Sequence, residues 1–192
     1  MRDVINDWRI RKELFFLTPM LESDPVRRVM LVSREIYEAV TDLGEGVDDR
    51  MGRFREHLEV FVRGDIIKIA MNPYQARNAY MGRLEPHGDE IWEIRDRSSP
   101  SIRVFGSFAE ADTFIALTWQ WRSILGAPLR NARDVIQKIS AQSWPRVWAI
   151  EQRACKAEWR KKFPTHDPHS GRTPDDYVTN WLPVGDPSRW QT

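Results

Sequence analysis

The 192-residue sequence contains one cysteine, Cys155, which excludes an internal disulfide and any zinc site built mainly from thiolates. Long apolar runs are also missing: none approaches the roughly 18 residues that a membrane-spanning helix needs. Met1-Arg2-Asp3 lacks the basic-then-apolar opening of a secretory signal, so no membrane partner and a cytoplasmic location are expected. Neither sign of charge dominates. The chain has 29 Lys and Arg, 28 Asp and Glu and a net charge of +1, so it is not a polycation as a whole. The sequence holds no P-loop, no dinucleotide-binding glycine fingerprint, no Gly-x-Ser-x-Gly and no His-Glu-x-x-His. Nucleotide hydrolysis, dinucleotide redox chemistry and serine-hydrolase chemistry thus lack support, and no cofactor is expected. His166 and His169 stand three apart in a proline-rich stretch with no third ligand close by, so no metal is expected either.

What is present is a chain long enough to bury a core without staples. Hydrophobic residues make up 41% and charged residues 30%, a globular balance. Eight of the nine tryptophans lie from Trp92 onward. Such residues build a core of large side chains or a stacking surface for a partner. Charge is segregated: residues 121–163 hold ten Lys or Arg against three acids, a net +7 that leaves the remainder near −6. A basic block interleaved with Trp144, Trp148 and Trp159 suits an anionic partner.

The pattern of apolar residues gives the order of elements. Leu14-Phe15-Phe16-Leu17 reads as a short strand or ordered arm. Ser23 or Asp24 with Pro25 starts a predicted helix, and Val26, Val29, Met30, Ile36, Tyr37, Val40 and Leu43 make its stripe up to Gly44. A second helix follows from Asp48 and Asp49, with Met51, Phe54, Leu58 and Phe61 stepping by three and four, and Gly64 closing it. The short connection predicts an antiparallel helix hairpin. The period then changes to two. Strands are predicted at 66–71, 79–84, 90–95, 102–108 and 113–119, separated by turn residues, and their close spacing predicts an antiparallel meander. Helical spacing returns after Pro128, is interrupted at Trp144-Pro145, and ends near Pro164. A tail rich in Pro, Gly, Asp, Ser and Thr completes the chain. The expected class is α+β: a helix hairpin on one face of an antiparallel meander (residues 1–120), then a basic, Trp-rich helical extension and tail (121–192).

The stretch from about 82 to 119 resembles the RelE/ParE/HigB-like toxin superfamily of bacterial toxin–antitoxin pairs. The resemblance rests on Gly82-Arg83-Leu84, Asp89-Glu90-Ile91-Trp92-Glu93-Ile94-Arg95, Ile102-Arg103-Val104-Phe105 and Phe114-Ile115-Ala116-Leu117. It implies a compact sheet with a helix hairpin, a cognate antitoxin, and either RNA or the ribosome as partner with metal-independent mRNA cleavage, as in many members, or DNA gyrase as the target, as in others. By the same resemblance Arg95 and Arg103 are phosphate-stabilising candidates, with Arg83 a third arginine at the RNA face. Many members place a Tyr or His and a basic segment after the last apolar strand, whereas here Thr118-Trp119-Gln120-Trp121-Arg122 follows.

Cleavage at a 2′-hydroxyl needs a proton acceptor, a proton donor and cations at the phosphorane. Arginine supplies the last with a bidentate fork. Alternation sets Ile91, Glu93 and Arg95 on one face and Trp92 and Ile94 on the other, with Glu93 able to pair with the arginines. His87, in a turn beside the sheet, is the best-placed histidine, and His57 reads as a half-exposed helix residue. The polar loop between Tyr74 and Tyr80, with Arg77, is a candidate lining for a site. Nucleic-acid-binding candidates are Arg77, Arg83, Arg122, Arg153, Lys156, Arg160 and Lys161. The alternative is a non-catalytic binding or inhibitor protein, such as a mobile element encodes, that uses the same basic, Trp-rich surface.

Overall fold

The computed structural model describes residues 1–41, 49–72, 78–98, 100–125 and 135–183. Its elements are α1 (Arg2–Ile10), β1 (Leu14–Phe16), β2 (Val29–Ser33), α2 (Arg34–Thr41), α3 (Asp49–Val62), β3 (Ile67–Ala70), β4 (Met81–Arg83), β5 (Trp92–Arg95), β6 (Ile102–Glu110), β7 (Thr113–Trp121), α4 (Val135–Lys162) and β8 (Trp181–Pro183). The eight strands form one sheet in the order β1-β2-β7-β6-β5-β4-β3-β8. The class is α+β, and most strand neighbours are antiparallel. The β2–β7, β3–β4 and β3–β8 pairs are parallel.

The helix expected to start near Pro25 is corrected by the structure. Residues Val29–Ser33 are a strand, and only Arg34–Thr41 are helical. Strand β2 lies between β1 and β7 and is apolar on both faces, with Met30 and Val32 in one core and Leu31 in the other. A strand buried on both faces reads as a continuous apolar run, and the same residues also satisfy a helical stripe. Helix α3 sets Phe54, Leu58 and Phe61 fully into the core, and Gly64 follows it at φ +74. Leu43, Gly44 and Asp48 lie outside the described residues.

Helices cover both faces of the sheet, not one. Phe54, Leu58 and Phe61 of α3 and Ile36 and Val40 of α2 pack on Trp92, Ile94, Val104, Phe108 and Phe114. On the other face Ile5 of α1 and Cys155 and Trp159 of α4 pack on Ile91, Phe105, Ile115 and Leu117. The second layer exists because β7 presents Phe114 and Ala116 one way and Ile115 and Leu117 the other, and each apolar face must be covered. Gly106 allows the close β6–β7 approach at a register shift: a Cβ there would stand 2.1 Å from the Ile115 carbonyl oxygen.

Helix α4 runs through Trp144-Pro145 without the expected interruption. One proline removes one intrahelical hydrogen bond, and the packed second half of this 28-residue helix is anchored independently of it. The segment after α4 is built into the fold. Tyr177 and Val178 are fully buried in the α3-side core, and β8 pairs with β3. The boundary drawn near residue 120 thus falls inside β7. Trp92 and Trp159 are buried, while Trp8, Trp119, Trp121, Trp148 and Trp181 are half-buried against the same cores. Among the described residues, no helix is long and apolar enough to cross a membrane.

Candidate nucleic-acid interface

The antiparallel β5–β6 register sets Arg95 directly opposite Arg103, on the sheet face that carries Phe105 and α4. Between them stands Glu93, 1% exposed. Arg95 Nε donates to Glu93 Oε1 at 2.7 Å, and Arg103 Nε lies 3.4 Å from Oε2. The remaining Arg103 fork donates to the protein: Nη1 reaches the Asp96 and Ile102 carbonyls and Ser101 Oγ at 2.8–2.9 Å. Both side chains are 12–13% exposed. Burial lowers Arg103 to about 10; Glu93 opposes that shift and Arg95 and Arg122 add to it. Arg103 is still a cation at neutral pH, and it is held by internal partners. Arg122 is drawn into the same group, with its guanidinium 5.7 Å from the Trp148 ring and its pKa lowered by burial.

His87 is not brought to this pair. It sits in a 3-10 turn, His87–Asp89, between β4 and β5. Arg95 ends β5 at the opposite end, about 10 Å of strand away at ~3.3 Å per residue, with the turn adding more. Arg83 faces the other way, with Trp92. It donates to the His87 carbonyl at 2.9 Å, pairs with Glu90 and lies 5.9 Å over the Tyr177 ring. It joins β4 to the segment that holds Tyr177. Tyr74 and Arg77 lie outside the described residues.

The exposed cations lie elsewhere. On α4, Cys155 and Trp159 face the sheet, while Arg153, Arg160 and Lys161 are exposed. Arg153 and Arg160 are two turns apart, about 10 Å along the axis at ~1.5 Å per residue, and so share a face. Lys156 pairs with Asp89 and Lys161 lies 3.5 Å from Glu158. A cleft of about 350 Å³ adjoins this face, lined by Lys156, Arg160, Trp159, His166, Ser107 and the Gly88–Asp89 turn among others. Trp159 Nε1 donates to the His166 carbonyl at 2.9 Å and fixes one wall. Lys156, Arg160 and the Trp159 ring in one lining suit a phosphate with its attached nucleotide.

The comparisons with known proteins decide nothing further. No family model, curated protein or solved structure matches this chain. Among the described residues, no three His, Cys, Asp or Glu are placed to hold a metal ion.

The pairing of Glu93 with Arg95 and Arg103 is the one that strand alternation allows, and the structure shows it. The contact of His57 with Tyr80, whose rings lie 4.7 Å apart, has no counterpart in the sequence pattern. The spacing of 23 residues carries no local signal, although Tyr80 itself stands out as a loop-edge candidate.

Proposed function

We propose that this protein binds RNA, free or in the ribosome, through the outer face of α4 and the adjoining cleft, as a binding protein and not a nuclease. On this reading residues 1–120 carry a RelE-like core in which α2 and α3 form the hairpin over β4–β7. Residues 121–192 supply the RNA-contacting surface, and the protein works in the cytoplasm beside a cognate antitoxin or another protein partner. The observation that carries it is the exposed pair Arg153 and Arg160 on one face of α4, with exposed Lys161 next to it, beside a cleft lined by Arg160 and Trp159. Binding is favoured over cleavage because the Arg95 and Arg103 forks are engaged by Glu93 and by carbonyls, with His87 at the far end of β5.

The test is RNA binding as a function of salt for wild type and for Arg153→Ala/Arg160→Ala/Lys161→Ala. The wild-type plot of log K against log salt has a negative slope, and removing three phosphate contacts reduces it by about 2, at ~0.7 per contact on single strands. An unchanged slope places the RNA elsewhere. Controlled expression in a bacterial host, with Arg95→Ala/Arg103→Ala beside wild type, tests cleavage. Arrest with products ending in 2′,3′-cyclic phosphate, lost in the double variant, would overturn the non-catalytic reading.

A further inference from the structure

A second cleft, of about 450 Å³, opens at the opposite end of β5, where α3, the start of β3 and the residues following β5 meet. This volume is in the range of small-molecule sites. Val60, Ile66 and Ala79 are among its apolar lining residues, and Ile66 is 60% exposed. Lys68, Arg95 and Arg97 bring three cations, with Arg97 Nη1 donating to Asn78 Oδ1 at 3.3 Å, and Ser98 brings a hydroxyl. Asp96 is the one carboxylate among the described residues of the lining. Its oxygens are already taken by the Ser98 amide at 2.9 Å and the Ser98 hydroxyl at 2.6 Å.

His57 and Tyr80 also line the cleft, their rings 4.7 Å apart and tilted by 34°. Tyr80 Oη donates to the His57 carbonyl at 2.9 Å, which fixes the Tyr80 ring against α3. A ligand beside this pair alters the surroundings of the His57 ring.

We propose that this cleft binds a phosphate monoester of mononucleotide size. The phosphate lies at Lys68 and Arg97, and the planar or apolar body packs against Val60, Ile66 and the Tyr80 ring, beside His57. Cations with a planar fork and a point charge suit a phosphate dianion, and an aromatic face beside an apolar wall suits a base. The site is at the other end of the sheet from the α4 cleft, so the proposal stands independently of the RNA-binding reading.

The experiment titrates the full chain with AMP, inorganic phosphate and adenosine. It follows binding heat and the His57 Cε1–H resonance, assigned by its loss in His57→Gln. AMP is expected to move that resonance and saturate with a Kd of about 1 mM or below, with phosphate binding more weakly at the same site and competing. Adenosine is expected to leave the resonance in place. Lys68→Ala/Arg97→Ala is expected to weaken AMP binding by at least about tenfold. The Arg153→Ala/Arg160→Ala/Lys161→Ala variant, whose loss of RNA binding tests the other surface, is expected to keep it. An unmoved His57 resonance, adenosine binding as well as AMP, phosphate failing to compete in the wild-type protein, or loss of AMP binding in the α4 variant would each overturn the proposal.

Discussion

Glu93 is the residue on which the arginine cluster depends. Its carboxylate, 1% exposed, is shared by Arg95 and Arg103, with Arg122 close enough to feel it. Removing one partner of a buried ion pair leaves the other charge uncompensated, which costs more than the pair contributes. Glu93→Gln keeps the shape and removes the charge. It is expected to lower stability by about 3 kcal/mol, read from urea unfolding. A change below about 1 kcal/mol would mean that the cluster is solvated and that its arginines are open to a ligand. His57 makes a second prediction. Burial holds its imidazole below the usual value of 6.5, against the raising influence of Asp96. The unfolded chain therefore binds the proton first as pH falls. Stability is level above pH 6.5, drops between 6.5 and the lower folded value, and levels again below it. His57→Gln removes this drop, and urea midpoints at neutral and mildly acidic pH for the two proteins measure the difference.

At the scale of elements, legibility follows the range of the interactions involved. Strands β5, β6 and β7 were readable because turn residues bracket alternating or continuous apolar runs. Helix α3 was readable because Phe54, Leu58 and Phe61 step at helical spacing. Strand β2 was not, since burial on both faces erases the alternation that marks a strand. Alternation also placed Arg95 and Glu93 on one face and allowed Glu93 to pair with the arginines, but the β5–β6 register that sets Arg95 opposite Arg103 is a tertiary fact. Helix α4 offers a direct measurement. Cys155 is fully buried in its packed face, and burial pushes its thiol well above the ordinary range. A buried, protonated thiol is a poor nucleophile. Iodoacetamide is therefore expected to leave Cys155 unmodified in the native protein and to label it at the rate at which α4 detaches, rising steeply in denaturant. Prompt labelling under native conditions would show that α4 does not stay on the sheet.

For the whole molecule, the segment after α4 acts as a closing strap. Arg28, 1% exposed, pairs with Asp112 at 3.4 Å and donates to the carbonyls of Asp65 and Asn180 at 3.1 Å. It thereby joins β2, the end of α3 and the approach to β8. The Tyr177 ring packs at a tilt of 57° with its centroid 4.7 Å from that of Trp92, and its hydroxyl donates to Glu90 at 2.7 Å. A chain cut after Pro168 loses Tyr177, Val178 and β8. It exposes Trp92 and leaves Arg28 and Glu90 short of partners. Deleting a large buried aromatic alone costs ~3–5 kcal/mol, comparable with the whole stability of many domains. The truncated chain is expected to lose cooperative thermal unfolding, and a sharp transition near the full-length midpoint would show the strap to be dispensable.

The sequence by itself determined the α+β class, the strands from β5 to β7, the helix at α3, and the segregation of basic charge into 121–163. All of these rest on spacing, turn chemistry and composition, which act over a few residues. Only the tertiary structure decided that helices cover both faces, that Val29–Ser33 is a central strand, and that the C-terminal segment completes the sheet. It also decided which cations are exposed. Arg95, Arg103 and Arg83 look equivalent to Arg153 and Arg160 along the chain, but the first three fold against Glu93, Glu90 and main-chain carbonyls while the last two remain in water. The free energy of an ionic group depends on what surrounds it, and the pairing of strands β4, β5 and β6 decides which nearby carboxylates and carbonyls each arginine meets.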